Sequence, residues 1–166
     1  PLALAGTMGG LSSEISETTT DIALEAVHFC EVCIAKNSRR HKLSSEASRR
    51  LERSVDPSLA EFASARFVQL LTAHSSAQHV ATVLDGDPIY PPLVTIDASY
   101  VSKTLGFDIP AKKVAEVLRV IGCDVDEKSF TIDPPSWRAD LLTAADFTEE
   151  VARMIGYDKI PSVLPP

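Results

Sequence analysis

A proline- and glycine-rich break near the middle of the chain constrains the fold most. Asp85-Gly86-Asp87-Pro88 and Pro91-Pro92 stand between two stretches with regular hydrophobic patterns. Proline lacks a backbone N–H and glycine favours turns, so neither a helix nor a strand should continue through this segment. The 166 residues allow one domain or two small ones. We expect two, over residues 1–85 and 92–161.

The first half carries both strand and helix patterns. The alternation over Ile22–Phe29 predicts a strand, and His79–Leu84 is a second candidate. Glu31–Arg40 has helical character and ends in basic residues, as suits a helix C-terminus. Ser44-Ser45-Glu46 opens a short helix that runs through Arg53.

Asp56-Pro57 predicts the start of a further helix, with Asp56 as the N-cap and Pro57 at the first helical position. Apolar residues then follow at helical spacing, and this is the clearest amphipathic helix of the chain. They are Leu59, Phe62, Ala63, Phe67, Leu70 and Leu71.

The second half has the pattern of a small α+β module. It predicts a strand over 93–96, helices over 98–105 and 110–121, two short strands within 124–133 and a helix over 144–155. Two helices followed by a β-hairpin resemble a winged helix. The second helix carries a weakly positive set, Lys112, Lys113, Glu116 and Arg119. Such a fold does not by itself argue for nucleic-acid binding.

Composition and charge limit the possible functions. Hydrophobic residues make up 45% of the chain, which is enough for a core and argues against disorder. The net charge is −7, so the chain as a whole should repel polyanions. Any contact with nucleic acid should therefore be local or belong to a partner.

Cysteine usage and hydropathy predict a cytoplasmic protein without a membrane anchor. The three cysteines do not make an even disulfide set, so we expect reduced thiols. Cys30 and Cys33 have zinc or redox spacing, but no second pair follows. No run reaches the roughly 18 apolar residues of a membrane helix. Pro1–Gly6 has no basic leader, and we expect the chain to be an internal piece of a longer protein.

Two groups of motifs carry a family resemblance. The first comprises Ala5–Gly10, Thr19–Phe29, Ser38–Arg40, Ser44–Arg53 and Val55–Pro57. It resembles the second half of the editing domain in the beta subunit of bacterial phenylalanyl-tRNA synthetases. The second comprises Pro134–Asp140 and Asp146–Pro161. It resembles the end of the next domain in the same subunit family.

The resemblance implies a part of an aminoacyl-tRNA ligase. That enzyme uses ATP to attach phenylalanine to tRNA(Phe), and it assembles as a heterotetramer of two alpha and two beta subunits. Charging takes place on the alpha subunit, and the beta subunit hydrolyses mischarged Tyr-tRNA(Phe). The expected fold is α+β, a partial editing domain of mixed strands and helices before a winged-helix-like domain. We expect this piece alone to be inactive, because the family's pocket also uses residues upstream of it.

The resemblance also implies an editing pocket. Glu25 matches the glutamate that accepts the tyrosine hydroxyl, and a carboxylate on an apolar strand face would need such a partner. Gly6 and Gly9 match glycines that line the pocket. Ser45 and Ala47 match the pair at the helix start opposite Glu25. Plainer alternatives are a solvated edge-strand glutamate, a tight turn at the glycines and a helix cap at Ser45.

A second implied site binds Mg²⁺ at the contact with the alpha subunit. Its four carboxylates are Asp140, Asp146, Glu149 and Glu150. The alternative is an acidic helix start, with Thr143 as the cap, Asp146 at its third position and Glu149 paired with Arg153. The Mg²⁺ site and the acidic helix start are compatible with each other.

Three further residues carry predictions, Arg138 and Trp137 in the second half and Ser54 in the first. Arg138 should pair with Asp140 or another carboxylate, and Trp137 should pack under its loop. Ser54 replaces the family's usual glycine, which costs on the order of 1 kcal/mol if the position needs positive φ.

Two other functions stay open: a free-standing hydrolase that clears mischarged tRNA, and a non-catalytic docking module.

Overall fold

The computed structural model describes residues 2–87 and 89–162. Pro1, Pro88 and 163–166, which enter the expected boundary and chain ends, lie outside the described residues. The chain divides into two compact units, Pro1–Ile89 and Tyr90–Pro166. Helices and small antiparallel sheets make up the described parts, so the expected α+β class is confirmed.

Unit 1 begins with a small hairpin. Strands β1 (Ala3–Leu4) and β2 (Met8–Gly9) pair in antiparallel register, and a short 3-10 turn follows at Leu11–Ser13. Gly6 turns the chain between the strands at a φ of 62°, in the left-handed region that suits glycine.

The three helices of unit 1 match the sequence pattern. They are α1 (Glu31–His41), α2 (Glu46–Leu51) and α3 (Leu59–His74). Helix α1 ends in the expected basic residues, followed by Lys42 in left-handed conformation. Helix α3 begins two residues later than expected, since Ser58 is its N-cap. Asp56 instead holds the preceding turn, its Oδ1 accepting from the Ser58 amide at 2.8 Å.

The predictions of two strands in the later part of unit 1 are wrong. Within residues 2–87, neither 22–29 nor 79–84 forms a strand. An alternating pattern yields a strand only where a neighbouring backbone offers hydrogen-bonding groups, and no described segment pairs with either stretch. Residues 22–29 therefore run as unpaired, irregular chain, and Glu25 does not lie on a strand face.

Unit 1 buries little of its apolar surface. No residue of α3 is buried, and Phe62 is 73% exposed. The buried apolar residues of the described part are Ile34 on α1 and Leu51 on α2. The predicted helix α3 is confirmed, but no other described element of unit 1 buries its apolar side chains.

Unit 2 forms around a three-stranded antiparallel sheet in the order β3–β5–β4. The strands are β3 (Val94–Thr95), β4 (Asp124–Asp126) and β5 (Thr131–Asp133). The helices are α4 (Tyr100–Leu105), α5 (Ala111–Val120) and α6 (Ala144–Ile155), and a 3-10 turn follows at Tyr157–Lys159. Two helices followed by a hairpin confirm the predicted order.

The core of unit 2 explains its regular structure. Leu118 of α5, Ile132 of β5, and Phe147 and Val151 of α6 are fully buried together. The apolar stripe of α5 faces this core. Gly122 follows α5 at a φ of 96°, as expected for a terminating glycine.

Trp137 departs from its prediction. Its side chain is 62% exposed, although its ring edge lies against Gly122, where a Cβ would be 3.2 Å from it. Tryptophan is large and carries a polar N–H, so it is rarely buried on all sides.

No helix in the described parts of the chain is long and apolar enough to cross a membrane.

Candidate functional site

Gly6 and Ser45 meet through Thr7. Thr7 is 2% exposed, and its backbone oxygen accepts a hydrogen bond from Ser45 Oγ at 2.5 Å. Its side-chain oxygen accepts another from Asn37 Nδ2 at 2.9 Å. The hairpin turn is therefore tied to α1 by Asn37 and to α2 by Ser45.

Close packing beneath Gly6 makes the glycine necessary. A Cβ at Gly6 would lie 2.6 Å from Ile34 Cδ1 and 2.9 Å from Phe29 Cδ2. Real Cβ atoms do not approach other atoms this closely, and the positive φ adds strain for any other residue. Gly6 is thus fixed by packing on the chain's own core, with no open space beside it.

Ser45 caps α2. Its Oγ accepts from the Ser48 amide at 3.1 Å, and its own amide donates to Ser48 Oγ at 2.9 Å. This reciprocal pair is a capping box, which confirms the helix-cap alternative. The Ser45 hydroxyl also donates to Thr7, so it is already engaged within the chain.

Gly9 and Ala47 do not join this cluster. Gly9 pairs with Ala3 in the hairpin, and nothing lies within 4 Å of where its Cβ would be. Ala47 is exposed on α2.

Glu25 lies at a different place, on a groove of about 340 Å³. One side of the groove is formed by residues 24–27, and the other is formed by Val55 and α3. The residues from α3 are Leu59, Ala60, Ala63, Ser64 and Phe67. None of the other four residues predicted for the editing pocket lines this groove. An exposed carboxylate beside an apolar groove can accept a hydroxyl while keeping its solvation.

In unit 2, the Asp146 side chain accepts hydrogen bonds at the N-terminus of α6. Its Oδ2 accepts from the Thr143 amide at 2.7 Å, from Thr143 Oγ1 at 2.8 Å and from the Leu142 amide at 3.1 Å. These donors stabilise the ionised form, and the Thr143 hydroxyl is the largest cause of the lowered pKa of Asp146. The alternative with Thr143 as the N-cap is confirmed.

Arg138 joins two of the predicted metal ligands. Its Nε and Nη2 donate to Asp140 at 2.8 and 2.6 Å, and Nη2 also lies 3.1 Å from Glu150 Oε1. The expected pairing of Arg138 with Asp140 is confirmed. The Arg138 side chain lowers the pKa of Asp140, and Arg153, followed by Arg138, lowers the pKa of Glu150.

The predicted pair of Glu149 with Arg153 is wrong. Arg153 instead bonds Glu150, one turn earlier on α6. Both spacings allow contact on a helix, but Glu150 is drawn to Arg138 as well and so lies between two guanidinium groups. Glu149 is exposed, without an ion pair to any described residue.

The four carboxylates do not form a ligand set. Across residues 2–87 and 89–162, no group of three or more His, Cys, Asp or Glu side chains is placed to hold a metal ion. Asp140 and Glu150 are neutralised by arginine, and Asp146 caps a helix. A Mg²⁺ ion needs near-octahedral oxygen ligands, which this arrangement does not fit.

The basic side chains of α5 are largely engaged too. Lys113 Nζ lies 3.3 Å from Glu116, and Arg119 lies 2.7 Å from Glu127. Arg119 also donates to the Val125 carbonyl at 2.8 Å. Lys112 is exposed and forms no ion pair with a described residue, so this helix presents one lysine outside these pairs to a nucleic acid.

Thr7 and Ser48 are buried polar residues that link the hairpin to α2, and the sequence pattern did not predict this role. A serine three residues after Ser45 was the available signal, since this is capping-box spacing. Nothing local marked Thr7, whose partners lie 30 and 38 residues away.

Comparison with known proteins places two family domains on the chain. Residues 1–76 match the B3/4 domain, and residues 94–157 match the tRNA synthetase B5 domain. The chain is 42% identical to the phenylalanine–tRNA ligase beta subunit of Thermobifida fusca and 44% identical to that of Leifsonia xyli. Each alignment covers 99% of this chain and 20% of the relative. The chain thus spans about a fifth of the length of these relatives.

Proposed function

We infer that this chain, which belongs to the B3/4 and tRNA synthetase B5 families and is homologous to phenylalanine–tRNA ligase beta subunits, works as part of such an enzyme. The observation that carries this inference is an alignment at 42% identity over 99% of the chain, which spans both domains together. Either domain alone would be a weaker indication.

Residues 1–85 contribute to hydrolytic editing of Tyr-tRNA(Phe) in this proposal. Glu25 accepts the tyrosine hydroxyl, and the apolar side chains of the groove beside it receive the ring. Phenylalanine has no hydroxyl, so the Glu25 carboxylate stays hydrated when phenylalanine is bound. The carboxylate therefore favours tyrosine by one charge-assisted hydrogen bond that phenylalanine cannot make, worth about 1.5–3 kcal/mol. The groove supports this reading, since it joins a carboxylate to an apolar wall.

The four other proposed pocket residues fall into two groups within the editing region. Gly6 and Ser45 hold the hairpin on α1 and α2, as their contacts indicate. Gly9 and Ala47 remain open to the solvent side and are free to contact tRNA or residues of a longer chain. All four stay proposed pocket residues on the strength of the family resemblance.

Residues 92–161 form the winged-helix-like domain and face the alpha subunit in this proposal. The complete enzyme is then a cytoplasmic heterotetramer of two alpha and two beta subunits that binds ATP and tRNA(Phe) and charges phenylalanine on the alpha subunit. Mg²⁺ at Asp140, Asp146, Glu149 and Glu150 remains a prediction of the resemblance alone. These side chains would need new rotamers and loss of the Arg138 pairs before they could act together.

The test measures both activities in the complete enzyme carrying Glu25→Ala. We expect hydrolysis of Tyr-tRNA(Phe) to fall by about tenfold or more, while phenylalanine charging stays unchanged. Glu17→Ala is the matched control, because Glu17 is also exposed and precedes the same segment. Equal loss of both activities would show that Glu25 is structural.

A second assay addresses the free-standing hydrolase. The 166-residue chain alone, incubated with Tyr-tRNA(Phe), should release no tyrosine above background, because it offers one carboxylate and no complete pocket. Release that depends on Glu25 would favour hydrolysis in trans. An inactive chain that still binds the alpha subunit would favour the docking module.

A further inference from the structure

Cys30 and Cys33 stand together at the start of α1. Cys30 occupies the N-cap position, and Cys33 lies three residues later in the first turn. Both side chains are exposed. The first turn of a helix brings these two positions, three residues apart, to the same side, which places the two side chains within reach of each other.

The surroundings make the two thiols unequal. The Cys33 amide and thiol are the main causes that lower the pKa of Cys30, and the Val32 amide adds to them. The pKa of Cys33 is raised, chiefly by the Cys30 sulfur. Unpaired amides at a helix N-terminus favour an anion, so Cys30 is the thiol that ionises first.

A metal site fits this pair less well. The two cysteines supply two sulfur ligands, whereas structural zinc takes four. Among the residues with described positions, no third His, Cys, Asp or Glu joins them. An exposed pair with one activated thiol is instead the arrangement of a thiol–disulfide exchange site.

We propose that Cys30 and Cys33 form a reversible intramolecular disulfide by exchange with a low-molecular-weight disulfide. The Cys30 thiolate attacks one sulfur of the oxidant, forming a mixed disulfide and releasing one thiolate. Cys33 gives its proton to solvent and attacks Cys30 Sγ, which closes the protein disulfide and releases the second thiolate. The protein loses two electrons and two protons, and the oxidant becomes two thiols.

The disulfide would fix the first turn of α1 next to the Gly6 turn. Phe29 and Ile34 flank the pair, and both side chains lie against Gly6. Glu25 precedes Cys30 by five residues on the same unpaired segment. Oxidation would therefore restrain residues 30–33, directly after the segment that carries Glu25. The site itself does not depend on the proposed editing function, because it rests on the positions of two exposed cysteines at the start of α1.

The test uses the full-length protein equilibrated in mixtures of oxidised and reduced glutathione. After an acid quench and alkylation, trypsin releases both cysteines on one peptide that ends at Lys36. We expect this peptide to appear unalkylated and lighter by two hydrogen atoms under oxidising conditions, and doubly alkylated under reducing ones. Cys123 is the internal control, because it is buried and burial raises the pKa of its thiol to about 11.

Single variants test the assigned order of attack. Cys33→Ser should accumulate glutathione on Cys30, because no resolving thiol remains. Cys30→Ser should react at Cys33 at least about threefold more slowly. Two alkylated thiols at the most oxidising ratio would overturn the disulfide, and equal rates in the two variants would overturn the role of Cys30 as the attacking thiol.

Discussion

Nη2 of Arg138 lies 3.1 Å from Oε1 of Glu150 and so joins the Pro134–Asp140 loop to α6. The Glu150 side chain is 13% exposed and also bonds Arg153. A carboxylate between two guanidinium groups is well stabilised in ionised form, and its partners are held in place. Asp140 and Glu150 were expected to bind a metal, and in the structure their ion pairs with Arg138 anchor this loop on α6.

Glu150→Gln should therefore destabilise unit 2. We expect a loss of about 1–3 kcal/mol in the free energy of unfolding, because a shielded guanidinium loses its charged acceptor. Urea denaturation of the 166-residue chain, followed by the fluorescence of its one tryptophan, Trp137, measures it. Glu149→Gln is the control and should stay within about 0.5 kcal/mol of the parent. Similar losses in both variants would contradict the role of Arg138.

The same contacts predict loss of stability in acid. The folded-state pKa values of Asp140 and Glu150 are lowered, so their contribution is complete above the unfolded values of about 3.9 and 4.3 and is lost as the pH falls through the lower folded values. Arg138→Met should flatten this part of the stability–pH profile chiefly through Asp140, because Arg153 still lowers the pKa of Glu150 in that variant. An unchanged slope below about pH 4 in that variant would contradict the assignment.

Gly6 and Gly9 should respond differently to alanine. Gly6→Ala should destabilise unit 1 by about 2 kcal/mol or more, because its Cβ would meet Ile34 and Phe29 at a positive φ. Gly9→Ala should cost less than about 1 kcal/mol, since its Cβ would meet open space. Hydrogen exchange of the α1 and α2 amides reports both effects. Equal protection in the two variants would argue against the packing of Gly6.

Ser54 offers a stabilising substitution. Its φ is 65°, which confirms that this position requires the left-handed conformation. Ser54→Gly should raise the free energy of unfolding by about 0.5–1 kcal/mol. Ser54→Ala keeps the Cβ and should give no gain, which separates backbone strain from loss of the hydroxyl. Thermal denaturation followed by circular dichroism compares the three proteins.

Asp146 and Glu149 separate helix capping from metal binding. Asp146→Ala should cost about 1 kcal/mol with or without Mg²⁺, because three donors at the start of α6 lose their acceptor. Glu149→Ala should leave stability unchanged. If the proposed Mg²⁺ role holds, both variants should also weaken assembly with the alpha subunit in a Mg²⁺-dependent way. Sedimentation of the mixed subunits at low and high Mg²⁺ would reveal this, and equal assembly in all samples would remove the metal role.

The sequence by itself determined the local elements. The stripe of α5, its terminating Gly122, the hairpin after it and the Thr143–Asp146 start of α6 depend on residues a few positions apart, so the sequence was sufficient to predict them. The left-handed position at Ser54 was likewise readable, because the family resemblance marked it for glycine.

Only the tertiary structure decided which distant groups meet. The alternation of 22–29 favoured a strand, but no described backbone pairs with it, and Glu25 came to lie beside α3 rather than beside Gly9. Thr7 accepts hydrogen bonds from Asn37 and Ser45, which lie 30 and 38 residues away along the chain. Glu150 forms an ion pair with Arg138, 12 residues before it. A local pattern fixes a residue's conformation and face, whereas hydrogen bonds and ion pairs between segments depend on how the whole chain packs.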